Sequence, residues 1–147
     1  MSAAAATNRV TLPAQSQSLQ HPGNAVNASI PVGAMEAWRR EAIQKVIGFS
    51  NLASNWDGRG SQAPARAAKQ TAIELLLNVP GGLFPAPRIV PVSGGGFHFE
   101  WGMRDRELEI SIDQDCRIEV LKVEHGMPID EAPPRNLSSV FAWLASR

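Results

Sequence analysis

One cysteine in 147 residues, Cys116, leaves no partner for an internal disulfide and no second thiol for a zinc site, which fits a reducing cytoplasm. Neither charge sign is in excess: lysine plus arginine number 14, aspartate plus glutamate number 14, and the formal net charge is zero. No long-range field therefore concentrates phosphates or an anionic bilayer, and general nucleic-acid binding is disfavoured. A run of about 18 consecutive apolar residues occurs nowhere, so no membrane span is expected. The first ten residues, Met1 to Val10, carry no basic flank ahead of an apolar stretch of signal-peptide length, which points away from secretion. Histidine is scarce too. His21, His98 and His125 match no metal-binding spacing and form no helical HExxH arrangement. Nothing in the spacing indicates a metal or cofactor site, and no convincing active site emerges.

A chain of this length buries roughly two-thirds of its unfolded surface and builds one core without help from metal or disulfide. Residues 1–31 are rich in Ala, Ser, Gln, Asn and Pro, with apolar residues that follow no period, and are expected to form a flexible tail. Residues 32–147 are expected to form a single α+β domain. Met35, Trp38, Ala42, Val46, Phe49, Ala53 and Trp56 recur at steps of three and four, which predicts a helix that stops at Asn55-Trp56-Asp57-Gly58. Gly48 inside it suggests a close neighbour. A second helix is expected from Pro64 to about Asn78, burying Ala65, Ala68, Ala72, Leu75 and Val79.

The next forty residues read as a four-stranded antiparallel meander. Arg88 to Val92, with Pro91 lacking a ladder donor, is expected at an edge. Phe97, Phe99 and Trp101 alternate with His98 and Glu100; Leu108, Ile110 and Ile112 alternate with Glu107, Glu109 and Ser111; Cys116, Ile118 and Val120 alternate with Arg117 and Glu119. Cys116 then faces inward as a packed thiol. A loop from Glu124 to Pro134 leads to a last helix, capped by Asn136 and burying Leu137, Val140, Phe141 and Leu144. The expected order is α-α-β-β-β-β-α, with the helices on one sheet face and the other face wet.

That wet face holds the residues most able to carry function. Glu107 and Glu109 point the same way about 7 Å apart, with Glu100, Glu119 and His98 close by. Such a group can hold a divalent cation or supply an acid and a base for hydrolysis, or it can be a solvated face whose glutamates oppose Arg104, Arg106 and Arg117. The Asn55–Gly58 turn offers Trp56, Asp57 and Arg59 as a recognition patch, since Trp and Arg are frequent interface anchors, while Trp56 against Trp101 is the packing alternative. Ser93-Gly94-Gly95-Gly96 joins strand to strand with no P-loop lysine after it, and reads as a hairpin turn.

Asn55-Trp56-Asp57-Gly58 followed by Pro64, and then Gly95-Gly96-Phe97-His98-Phe99-Glu100-Trp101, resemble a set of small bacterial and phage proteins. These share an NWDG turn after one helix, a second helix, and a glycine-rich hairpin entering a strand that ends in Glu-Trp. The resemblance covers Asn51 to Val123, with Arg59 standing where an aromatic is common. It implies the fold and brings no catalytic residues with it.

Three functions follow from these features. The favoured one is a non-enzymatic interaction module that binds another protein, of the accessory, antitoxin-like, immunity or phage-inhibitor type; self-association is compatible with it. The alternative is a metal-dependent hydrolase using Glu100, Glu107, Glu109 and His98. The third is nucleic-acid binding through Arg39, Arg40, Lys45, Arg59, Arg66 and Lys69, which the neutral composition makes the weakest.

Overall fold

The structure, a computed structural model, describes residues 35–81, 84–132 and 136–146. The tail expected over residues 1–31 lies outside them. The elements run α1 (Ala37–Phe49), α2 (Arg66–Asn78), β1 (Arg88–Pro91), β2 (Phe97–Met103), β3 (Arg106–Ile112), β4 (Ile118–Glu124), β5 (Met127–Ala132) and α3 (Leu137–Ala145). This is an α+β fold with one antiparallel sheet in the order β1-β2-β3-β4-β5.

The sheet has five strands where four were expected. Val123 and Glu124 lead into His125 and Gly126, whose φ angles of 52° and 78° give the two positive-φ centres of a tight hairpin turn. The chain then returns along β4, with Met127 opposite Glu124 and Ala132 opposite Val120. Pro128 cannot donate to a ladder, which is tolerable because β5 is the last strand. An extra residue near Pro128 shifts the register against Lys122 and Val123.

Strand alternation places Phe97, Phe99 and Trp101 of β2 beside Leu108, Ile110 and Ile112 of β3, all at most 1% exposed. Each such side chain contributes roughly 1.5–3 kcal/mol by leaving water. They pack against Ala68, Ala72, Leu75 and Leu76 of α2 and Val140, Phe141 and Leu144 of α3. Phe141 meets Trp101 edge-on, with centroids 4.9 Å apart, and Phe99 stacks on Trp101 at 5.8 Å. Trp56, expected against Trp101, stays outside this core.

Three sequence expectations need correction here. The first helix ends at Phe49, seven residues before Trp56. After the Ser50 N–H bonds Val46 O, the chain tightens to three-residue turns, Asn51 to Gly48 and Leu52 to Phe49, so the apolar rhythm runs on past the helix and Ala53 is exposed. Gly48 has no close neighbour: a Cβ there would meet nothing within 4 Å. Cys116 does not face inward from a strand. It sits in the turn before β4 with φ 67°, where Asp113 Oδ1 accepts the amides of Asp115 and Arg117, and it is half-buried.

Arginines close the helix ends. Neither α2 nor α3 has a basic residue in its last turn, so the terminal carbonyls, at the negative end of the helix dipole, need donors from elsewhere. Arg39, 6% exposed, donates from α1 to Leu76 O and to Val79 O at 2.9 Å. Arg104 donates to Ala145 O (2.9 Å) and Ser146 O (2.8 Å), and Arg106 to Trp143 O (2.6 Å). Trp143, outside the predicted stripe, is held by cations, with Arg106 4.9 Å and Lys122 5.5 Å from its ring.

Candidate interaction surface on the open sheet face

Directly paired residues in antiparallel strands share a face. The register therefore puts Arg88 and Val90 of β1, His98 and Glu100 of β2, Glu107, Glu109 and Ser111 of β3, and Glu119, Leu121 and Val123 of β4 on the side away from the helices. Glu100 lies directly opposite Glu109, and His98 directly opposite Ser111.

Of the candidate residues, His98, Glu100 and Glu109 come together. His98 Nε2 is 3.1 Å from Glu109 Oε2 and 3.4 Å from Glu100 Oε2, and Ser111 Oγ sits 2.9 Å from Nδ1 on the other side of the ring. One ligand atom from each of the three lies within 4.8 Å of the others. Arg88 Nη1 lies 2.8 Å from the same Glu100 Oε2. Glu107 and Glu119 stand apart: Glu107 is opposite Gly102 and Val123, and Glu119 is opposite Ser111. Both are exposed, and neither has an ion pair among the described residues.

The glutamates are not balanced by the arginines expected to oppose them. Arg104 and Arg106 bind the end of α3, Arg106 also approaches Glu124 at 3.6 Å, and Arg117 pairs with Asp113 at 3.7 Å. Alternation places Arg106, in phase with Leu108 and Ile110, on the helix side of β3, and Arg104 reaches the same helix end from the β2–β3 turn.

Beyond the carboxylates the surface turns apolar. Val123 is 9% exposed yet outside the core cluster, Leu121 is half-buried, and the bordering edge strand β5 carries Met127 at 65% and Ile129 at 51% exposure, Met127 being paired with Glu124 and so turned to the helix side. The edge-strand residues escaped sequence reading along with β5 itself; His125-Gly126 was the available turn signal.

The other candidate patch, Trp56, Asp57 and Arg59, is bound up in its own loop. Trp56 donates its indole N–H to Gln62 O at 2.9 Å. Asp57 Oδ1 accepts the amides of Arg59 (2.9 Å) and Ser61 (3.2 Å), and the Ser61 hydroxyl donates to Oδ2. Asn55 and Gly58 take φ angles of 66° and 74° to close the turn. The loop then docks on the glycine-rich hairpin, Gln62 N–H to Ser93 O and Ala65 N–H to Gly95 O, both at 2.9 Å. The two sequence motifs thus form one structural unit, and Arg59 projects from it into solvent.

The Ser61 hydroxyl first, and the Arg59 amide second, hold the Asp57 carboxyl below the usual carboxylate range. A carboxyl whose pKa is lower folded than unfolded adds stability above its unfolded value and loses it as pH falls through the folded value. Asp57→Asn is therefore expected to flatten the acid limb of the stability curve while leaving its neutral-to-basic shape unchanged, as followed by urea melts between pH 2 and 7. An unaltered acid limb would show that the loop gains nothing from the charge.

A shallow recess on the solvent side of α1 is lined by Met35, Arg40, Glu41, Ile43, Gln44 and Lys45. None of these comes from the carboxylate face, so recess and acids do not combine into a cleft. Arg39, one of the basic residues considered for nucleic acid, is buried and engaged, which takes it off that surface. Among the described residues no helix is long and apolar enough to cross a membrane. Compared with known proteins, the chain matches no family, no curated protein and no solved structure.

Proposed function

We propose that the protein acts by binding another protein, with the open sheet face and the adjoining β5 edge as the contact surface. The observation that carries this reading is an edge strand with Met127 and Ile129 exposed, bordering a sheet whose open face carries Glu107 and Glu119 with no ion pair among the described residues. Exposed apolar side chains beside uncompensated carboxylates suit a partner that offers lysine or arginine around an apolar anchor. The edge adds backbone donors and acceptors that an extended partner segment can pair with. This is the chemistry of a small accessory protein of the antitoxin, immunity or inhibitor kind.

Hydrolysis is the second reading, favoured by the convergence of His98, Glu100 and Glu109. It asks for a substrate held above a flat sheet, and the recess on α1 does not serve it, so binding is the stronger reading.

Capture from an extract of the native host, run side by side with variants, tests the proposal. Met127→Glu with Ile129→Lys is expected to abolish capture of whatever the wild type retains, without lowering Tm. Leu77→Lys, at an exposed apolar position on α2, is expected to leave capture intact. The opposite pattern would place the contact on the helical layer and overturn the proposal. A heavier species in sedimentation that the strand variants alone dissociate would identify the partner as a second copy.

A further inference from the structure

We infer that His98, Glu100 and Glu109 form a site for a divalent transition-metal ion, with zinc the best match, on the open face of the sheet. Four features of the geometry favour an ion there.

The first is spacing. In a tetrahedral site with metal–ligand bonds near 2.1 Å, neighbouring ligand atoms are about 3.4 Å apart. His98 Nε2 lies 3.1 Å from Glu109 Oε2 and 3.4 Å from Glu100 Oε2, close to two edges of that tetrahedron, and one ligand atom of each residue lies within 4.8 Å of the others; Glu100 Oε2 exchanges its Arg88 contact for the ion. The second is electrostatic. Two carboxylates placed directly opposite on neighbouring strands repel each other, and Arg88 reaches only Glu100. A cation between Glu100 and Glu109 removes the conflict that the pairing creates.

The third is the orientation of the imidazole. Ser111 Oγ, 2.9 Å from Nδ1, can accept a hydrogen bond from an Nδ1–H as readily as donate one to a bare Nδ1. When it accepts, the proton is fixed on Nδ1 and the Nε2 lone pair is free to bind the ion. A partner on the far ring nitrogen is the usual support for a metal-bound histidine. The fourth is access. The side chains of His98, Glu109 and Glu100 are 21%, 28% and 37% exposed, so the fourth position is open to water.

The ligand types decide between ions. One imidazole nitrogen with two carboxylate oxygens suits zinc and its first-row neighbours; magnesium and calcium prefer an all-oxygen shell. Histidine spacing along the chain gives no hint of this site, because its ligands come from two strands and are joined by register.

Equilibrium dialysis of the full chain against micromolar Zn²⁺, with Tm measured in parallel, tests the site. Wild type is expected to retain one ion per chain, to gain Tm as free Zn²⁺ rises, and to give the intense visible absorption of four-coordinate Co²⁺ when cobalt replaces zinc. His98→Gln and Glu109→Gln are expected to lose all three responses. Ser111→Ala is expected to weaken binding about 10- to 100-fold. Glu107→Gln, Glu119→Gln, His125→Ala and His21→Ala are expected to behave as wild type, and Mg²⁺ to raise Tm far less than Zn²⁺. Circular dichroism without metal checks that the variants fold, with Glu100→Gln as a second ligand variant should His98→Gln fail to do so. No zinc uptake by the wild type, or uptake unchanged in His98→Gln or Glu109→Gln, would overturn the inference; so would loss confined to His125→Ala.

Discussion

Gly96→Ala is expected to destabilise the protein by on the order of 3 kcal/mol, a large share of the roughly 5–15 kcal/mol that holds a domain folded. A Cβ at this position would lie 1.9 Å from Ile112 O and 2.9 Å from Asp113 Cα. Both neighbours are backbone, so no side chain can rotate away. The β1–β2 turn would have to lift from the end of β3, breaking the bond from Val92 N–H to Gly96 O, and the same turn carries the acceptors for Gln62 and Ala65. The loss should therefore reach the NWDG loop as well. Urea melts measure the total, and hydrogen exchange at the Gln62 and Ala65 amides reports whether the loop loosens; Gly94→Ala, where a Cβ would meet nothing within 4 Å, serves as the control and is expected to change little.

Arg39→Ala is expected to cost about 3–5 kcal/mol, because removing one partner of a buried charged network leaves the others unsatisfied. Its guanidinium satisfies Leu76 O and Val79 O at the end of α2, bonds Glu36 at 3.0 Å and lies 4.8 Å from the Trp38 ring centroid. Arg39→Lys should recover only part of this, since a single ammonium cannot reach both carbonyls and Glu36 with the planar fork's geometry. Arg40→Ala, one residue along and exposed, is expected to fall within about 0.5 kcal/mol of wild type. Equal losses for the two alanine variants in chemical denaturation would contradict the capping role.

These two positions also mark where the sequence was readable and where it was not. The alternation of Phe97, Phe99 and Trp101 with His98 and Glu100, and of Leu108, Ile110 and Ile112 with Glu107 and Glu109, survives intact, because a period of two has only one way to face a core. The buried side of α2 was legible because Ala68, Ala72 and Leu75 recur at steps of four and three. Arg39 was not. Together with Ala42 and Val46 it occupies the buried positions of α1, yet a charged residue in an apolar stripe is read as solvent-facing unless its acceptors, here nearly forty residues away, are known. Strand β5 was hidden by Pro128 and by the acidic pair Asp130 and Glu131, which erase alternation. Its positive-φ turn at His125-Gly126 is the kind of signal that only backbone chemistry supplies.

The candidate site was half legible. Placing His98, Glu100, Glu107, Glu109 and Glu119 on one wet face followed from alternation alone. Which of them meet depended on register: Glu100 falls opposite Glu109 and His98 opposite Ser111, which selects three of the five and leaves Glu107 and Glu119 to solvent. The loop over residues 55–61 shows the reverse case, in which Trp56 and Asp57 are taken up by holding a turn against a hairpin while the Arg59 side chain stays in solvent.

Hydrogen exchange on the complex with the captured partner tests the proposed role of the sheet most directly. Slower exchange is expected for amides of β5 from Ile129 onward and of the adjoining β4, with α1 and α2 exchanging as in the free protein. Protection confined to the helices, with β4 and β5 unchanged, would contradict the account.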